Sequence, residues 1–209
     1  MKQVIKKILR VILYPFYIVF SPKLFNCLTE RKNQLYSLWK INQFQKVGSV
    51  YIQYPLQLHG GKYIKLGNKV GFDQRLRLEA FDNFLGDKFF PKIVIGDNVL
   101  IQKDCHIGAI NSIIIGNNVL LASKVYISDH SHGDITKEAL LLPPAQRKLY
   151  SKGQVIIEDN VWLGEGVVVL PNVTIGENSI VGANSVVTKS IPRNSVVAGN
   201  PAKIIRVLV

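Results

Sequence analysis

From Ile157 onward an aliphatic residue returns at every sixth position: Ile157, Leu163, Val169, Ile175, Val181 and Val187. Gly often follows it, and a small or β-branched residue stands in the fifth place, as at Val161, Val167, Val173, Ser179 and Ser185. The same beat runs earlier through Ile95, Ile101 and Ile107, slips by two residues, and resumes at Ile115 and Leu121. A weaker version opens at Leu66 and Phe72. A helix repeats near 3.6 residues and a hairpin strand near 2, so neither explains a period of six. Six residues make one short strand and one corner. Three such units close a triangular turn, and stacked turns bury the aliphatic ladder as one continuous core. Gly, Asn and Asp near the corners tolerate positive φ. The spacing therefore predicts an all-β solenoid, a parallel β-helix, over residues 48–209. It does not fix the handedness.

Residues 129–154 lose the beat and contain Pro143-Pro144, Gly153 and the cations Arg147, Lys148 and Lys152. The expectation is a loop excursion leaving the prism between two coils, the place where repeat stacks carry chemistry.

Residues 1–47 form a separate, basic segment. Over residues 1–49 nine Lys and Arg face a single acid, Glu30, a net charge of +8 out of +12 for the chain. The run from Val11 to Phe20 is apolar and aromatic but shorter than the roughly 20 residues that span a bilayer. A signal peptide fits poorly, because Ser21-Pro-Lys-Leu offers no small-residue cleavage site. The preferred reading is a short helical, amphipathic anchor, residues 1–25, lying in the membrane interface with Tyr14 and Tyr17 at headgroup level. The alternative is a helix packed on the domain or on a neighbouring subunit. Nucleic acid is not an expected partner, because basic and aromatic residues are not spread over a folded face. Cys27 and Cys105 are too far apart for a disulfide framework or a thiolate metal site, and no metal is expected. A peripheral position on the cytoplasmic face of the cell membrane follows from these readings.

The sixes, the break after Ser128-Asp-His-Ser-His-Gly133 and the tail Gly199-Asn-Pro-Ala-Lys-Ile-Ile-Arg206 resemble the hexapeptide-repeat acyltransferases, over roughly residues 48–208. Residues 76–81, 107–111 and 121–130 are most similar to O-acetyltransferases of lipopolysaccharide and capsule biosynthesis. Galactoside and maltose acetyltransferases share the wider pattern. The resemblance implies a left-handed β-helix, a homotrimer with active sites between subunits, and acetyl-CoA as co-substrate. It also implies an acetyl transfer to a sugar hydroxyl by direct attack in a ternary complex. The acceptor would be a cell-surface polysaccharide or its lipid-linked precursor, with a soluble saccharide or nucleotide-sugar as the alternative.

A general base must take the hydroxyl proton, and imidazole suits that task. Without gaps, the family's catalytic His falls on His132; a small loop adjustment exchanges it with His130. The resemblance assigns coenzyme binding to Gly164, Gly182, Ala183, Thr188 and Lys189, with Arg206 near the nucleotide, although corners need glycine in any case. Trp162 matches a family Trp that shapes the pocket. Gln102 stands where galactoside enzymes carry an acceptor-binding Asn. Glu79, Asn111 and Asp129 are further candidates for sugar hydroxyls. Two rivals are a zinc enzyme of the gamma carbonic anhydrase type using His106, His130 and His132, and a non-catalytic scaffold.

Overall fold

The structure is a computed structural model that describes residues 2–134 and 136–208; Met1, Ile135 and Val209, which close or interrupt the ranges given above, lie outside the described residues. Its core is a parallel β-helix of three sheets. The first sheet stacks Lys46–Val47, Ile64–Leu66, Lys92–Ile95, Ser112–Ile115, Val155–Ile157 and Thr174–Ile175. The second begins at Val50–Ile52 and continues through Val70–Phe72, Leu100–Ile101, Leu120–Leu121, Trp162–Leu163, Ile180–Val181 and Ser195–Ala198. The third holds Leu56–His59, Leu76–Ala80, His106–Ala109, Tyr126–Ser128, Val168–Val169 and Val186–Val187. The chain visits the three sheets in turn, so each circuit is one coil. All strand pairs between coils are parallel and in matched register, for example Ile107 beside Ile127 and Leu78.

The register explains the period. Each aliphatic residue that opens a six points inward and is buried, from Ile95 through Val187. The fifth-place residues are buried beside them, including Val119, Val161 and Val173. Serine replaces valine there only near the end of the stack. Ser179 Oγ donates to the Pro192 carbonyl (3.1 Å) and Ser185 Oγ to that of Gly182 (2.6 Å), so neither buried hydroxyl is orphaned.

The corner between the first and second sheets turns through a left-handed residue in successive coils: Lys69, Asn98, Asn118, Asn160, Asn178 and Asn194. Asn tolerates this conformation better than other side chains. The five asparagines also donate to one another along the stack, Nδ2 to Oδ1, at 3.0–3.1 Å. One residue type thus supplies both the turn and a hydrogen-bonded spine.

Two helices precede the stack. Helix α2 (Pro22–Lys40) is capped by Ser21 Oγ, which accepts from Leu24 N at 3.3 Å, with Pro22 at the first turn. One stripe of α2 closes the open edge of the first coil. Asn33 Oδ1, Tyr36 OH and Ser37 Oγ accept from the backbone N–H groups of Tyr54 (3.2 Å), Leu56 (3.0 Å) and Ile52 (2.7 Å). An edge strand otherwise leaves such donors unpaired. At the far end, Lys203–Val207 folds back antiparallel on Ser195–Ala198. Helix α1 (Lys2–Val19) buries no residue against the rest of the chain.

Residues 129–154, expected as a loop excursion, carry elements of their own. Ser131–His132 pairs antiparallel with Leu149–Tyr150. Helix α3 (Lys137–Leu140) and a 3₁₀ turn, Pro144–Gln146, lie between them.

Asn160 separates the two roles of the spine. Asn160→Gly keeps the left-handed turn and loses two hydrogen bonds; Asn160→Ala also adds the left-handed penalty of about 1 kcal/mol. In urea unfolding, Ala is expected to be less stable than Gly by that amount, and equal stabilities would reject the account of the turn.

Candidate active site

The corner between the third and first sheets takes every interruption of the sixes in three consecutive coils. After Ala80 the chain adds a hairpin, Asn83–Phe84 against Asp87–Lys88. After Ala109 it adds Ile110 and Asn111, the two-residue slip. After Ser128 it adds the ribbon containing α3. Stacking of the coils places these three insertions side by side.

Asp129 ties them together. It is fully buried, and its two oxygens accept from the backbone N–H groups of Ile110 (3.0 Å) and Asn111 (2.9 Å). The two slipped residues are thus the donors that hold this carboxylate. Oδ1 also meets His130 Nδ1 at 2.9 Å. A carboxylate only accepts, so the proton of that bond sits on Nδ1 and the lone pair of a neutral imidazole is left on Nε2. Ser128 Oγ lies 3.3 Å from the same Nδ1 and donates to the His130 carbonyl at 2.9 Å. The Phe81 ring completes the setting, nearly perpendicular to that of His130 with centroids 6.2 Å apart.

His130 and His132 line one cleft of about 680 Å³, with Ser128, Arg147, Lys152 and Thr188 among its walls. His132 is exposed on the ribbon, and its ring stands nearly perpendicular to that of Phe84, with centroids 5.4 Å apart. Lys148 Nζ bridges to Asp87 Oδ1 at 3.1 Å, so the hairpin and the ribbon are joined.

Six of the residues singled out in the sequence meet at or beside this corner: Glu79, Asn111, Asp129, His130, His132 and Thr188. Lys189 follows Thr188 and is exposed. The rest lie elsewhere. Trp162 is 48% exposed on the second sheet, between Leu120 and Ile180. Gln102, Gly164, Gly182 and Ala183 stand just past strands of the same sheet, and Gln102 Oε1 accepts from Ser123 Oγ at 3.3 Å. Arg206 is on the closing strand, opposite Val196. A Cβ on Gly164 would stand 2.7 Å from Ala183 N, so coil stacking alone demands that glycine.

Two of the expected sugar ligands are differently employed. Asp129 has no free face, because backbone and His130 take both oxygens. Glu79 is only 5% exposed and accepts from Gln57 Nε2 (3.1 Å), Arg77 Nη2 (2.9 Å) and His106 Nε2 (2.9 Å). The carboxylate–imidazole pairing of Glu79 with His106 had no signal in the linear spacing; parallel register brings them together from 27 positions apart. Burial, together with the Arg77 guanidinium, holds the His106 imidazole below its usual value, outweighing Glu79. Burial likewise pushes the Cys105 thiol up to about 11, which keeps it un-ionised and unsuited to attack. Among the described residues no group of three His, Cys, Asp or Glu side chains is placed to hold a metal ion.

The chain matches two family models, "Bacterial transferase hexapeptide (six repeats)" over residues 154–189 and "Hexapeptide repeat of succinyl-transferase" over residues 92–129. It is 43% identical over 159 residues to an Escherichia coli protein provisionally named a lipopolysaccharide biosynthesis O-acetyl transferase, covering 74% of this chain and 77% of that one. Among solved structures, a Bacillus cereus N-acyltransferase superposes with a TM-score of 0.66 at 24% identity, over 82% of this chain and 87% of that one, a likeness of fold. A Vibrio cholerae hexapeptide-repeat acetyltransferase solved with acetyl-CoA superposes with a TM-score of 0.52 at 27% identity, over 85% of this chain and 78% of that one. These hexapeptide-repeat neighbours imply a left-handed coil.

Asp129→Ala would leave two backbone donors and His130 without their acceptor. The expected cost is about 2–3 kcal/mol in urea unfolding. A loss below about 0.5 kcal/mol, within the range of an ordinary surface change, would reject the corner role of this carboxylate.

Proposed function

The chain belongs to the hexapeptide-repeat acyltransferases, and on that premise we propose that it moves acetyl from acetyl-CoA to a hydroxyl of a surface-polysaccharide sugar or its lipid-linked precursor, with His130 as general base. The observation that carries the choice of base is the Asp129–His130 pair. A buried carboxylate fixes the tautomer and ring orientation, and Nε2 keeps a lone pair in a cleft. A positioned base of this kind contributes about 10²–10⁴ in rate.

The relatives supply the substrate class. The Escherichia coli relative carries a name in lipopolysaccharide O-acetylation, and the Vibrio cholerae neighbour was solved with acetyl-CoA. The co-substrate supplies an acetyl thioester, an acyl group already activated for transfer. The cleft fits it chemically: Lys152 and Arg147 line it with Thr188, and Lys189 follows, cations suited to phosphates. The protein's part is to hold the hydroxyl beside His130, which takes its proton on Nε2 as the new C–O bond forms and gives that proton to the departing CoA thiolate as the thioester C–S bond breaks. No covalent enzyme intermediate is needed, in keeping with the buried, un-ionised Cys105.

The functional residues fall into two groups on one chain, the His cleft at one corner and Trp162 with Gln102 on the second sheet. Their separation supports a trimer, in which the exposed second sheet of one copy faces the cleft of the next. Trp162, Gln102 and Arg206 would then complete a site that a single chain holds only in part.

Helix α1 supports a membrane-proximal acceptor. Lys2, Lys6, Arg10 and Tyr14 follow one ridge at four-residue spacing, while Ile5, Ile8, Ile12 and Val19 form the opposite face. Such a helix lies in an anionic interface with its apolar side buried. No single described helix is long and apolar enough to cross a membrane; only the bent pair Lys2–Val19 with Pro22–Gln43 has the length and composition. The cytoplasmic leaflet, where acetyl-CoA is available, is the surface this reading assigns.

Three outcomes test the proposal. His130→Ala is expected to lower kcat by ~10²–10⁴ with acetyl-CoA binding by calorimetry retained, and His132→Ala to keep kcat within about tenfold, since it loses no carboxylate-held base. The reverse pattern would move the base to His132, and no acetyl-CoA binding at millimolar ligand would favour a scaffold. Removing residues 2–20 is expected to abolish flotation with phosphatidylglycerol-containing vesicles and leave acetyl-CoA affinity unchanged. Undiminished flotation rejects the anchor.

A further inference from the structure

Gly108 is a glycine that the coil does not require. At Gly96 and Gly164 an added Cβ would strike backbone of the next coil, at 2.6 and 2.7 Å. At Gly108 it would meet two side chains only, His106 Nε2 at 3.4 Å and His130 Cε1 at 3.5 Å. In register, Gly108 lies between Glu79 and Ser128 on the third sheet, so the missing side chain leaves a notch in an otherwise filled column. Two imidazoles flank that notch.

Each imidazole is held by a buried carboxylate. Asp129 holds His130 and Glu79 holds His106, both at 2.9 Å. Glu79 accepts from His106 Nε2, so the neutral ring keeps its lone pair on Nδ1. That nitrogen has no protein partner among the described residues, and no buried side-chain nitrogen or oxygen among them lacks one, so Nδ1 is open to solvent. Gln57 and Arg77 complete the shell of Glu79, which leaves the carboxylate no rotational freedom. Phe81 stands beside the pair, its ring 6.2 Å from that of His130 and 5.0 Å from that of His59. Burying a charged carboxylate on a solvent-facing sheet is costly unless every lone pair is engaged. The fold gains from it one oriented imidazole.

We propose that His106, oriented by Glu79, is a positioning residue for the acceptor: it takes a second hydroxyl of the pyranose whose reacting hydroxyl meets His130. Gly108 is the floor that admits the sugar ring, and Phe81 is the apolar wall for its C–H face. Pockets for small ligands combine an apolar surface with a few fixed polar groups in this way. Two carboxylate-held imidazoles beside one notch, each with one ring nitrogen left as an acceptor, select the relative placement of two hydroxyls, and so select which sugar and which position is acetylated. The inference rests on the sugar-acceptor reading and adds His106, Glu79 and Gly108 to it.

The test uses the full-length protein with acetyl-CoA and a panel of methyl glucopyranosides, galactopyranosides and N-acetylglucosaminides, read by thiol release and by mass. His106→Ala is expected to raise the acceptor KM about tenfold, the worth of one hydrogen bond, with the acetyl-CoA KM unchanged. One monodeoxy glycoside should lose about tenfold in kcat/KM with the wild type and nothing further with His106→Ala. Glu79→Gln and Gly108→Ala should move the acceptor KM in the same direction, and thermal melts confirm folding. Wild-type turnover with an unchanged acceptor KM in the folded His106→Ala and Gly108→Ala variants overturns the role of His106 and leaves the sugar reading standing. Acetyl-CoA binding with no turnover of any glycoside overturns the sugar reading, and this proposal with it.

Discussion

The parallel hydrogen bonding of one coil to the next governs everything else in this protein. Each strand is only two to five residues long and has no stability alone. A strand inside the stack exists because its backbone pairs with a coil on each side while its inward aliphatic stacks on its equivalents. That demand fixes the register, and the register fixes which outward side chains become neighbours. Glu79 with His106, Asn98 with Asn118 and Lys124 with Glu165 all meet for this reason.

Such a stack has two weak points, its ends and its corners, and the chain treats them differently. The ends are closed. Helix α2 offers three side-chain acceptors to the first coil, and the strand Lys203–Val207 covers the last. One corner is kept strict by asparagine in the left-handed conformation. Another is left open to insertion in three consecutive coils, and there Asp129, His130 and His132 are brought together. Extra residues cost little at a corner, because they interrupt no strand pairing and shift no inward aliphatic.

Buried carboxylates hold these insertions and the neighbouring imidazoles in place. Asp129 spends its lone pairs on two backbone donors and one imidazole, so the slip at Ile110 and Asn111, the ribbon and His130 share one anchor. Glu79 does the same for His106 one column away. Both rings are therefore fixed in tautomer and direction, His106 on the third sheet and His130 at the corner beside it. Preorganisation of this kind is what a direct-attack mechanism needs, since the alignment of two substrates supplies more of the rate than the base does.

The period of six determined the solenoid, its three faces and the inward residues, because a repeated backbone geometry leaves a repeated mark on the chain. The composition of residues 2–19 likewise determined an amphipathic helix. Spacing also drew attention to the two histidines and to the broken stretch that follows them. It did not reveal that Asp129 and Glu79 are buried anchors, that the two-residue slip exists to supply N–H donors, or that α2 closes the first coil. Nor did it separate Trp162 and Gln102 from the histidine cleft. Those facts depend on residues dozens of positions apart meeting across coils, and on corners whose lengths obey no period. Local sequence records what each coil repeats; only the stacked structure decides what the exceptions touch.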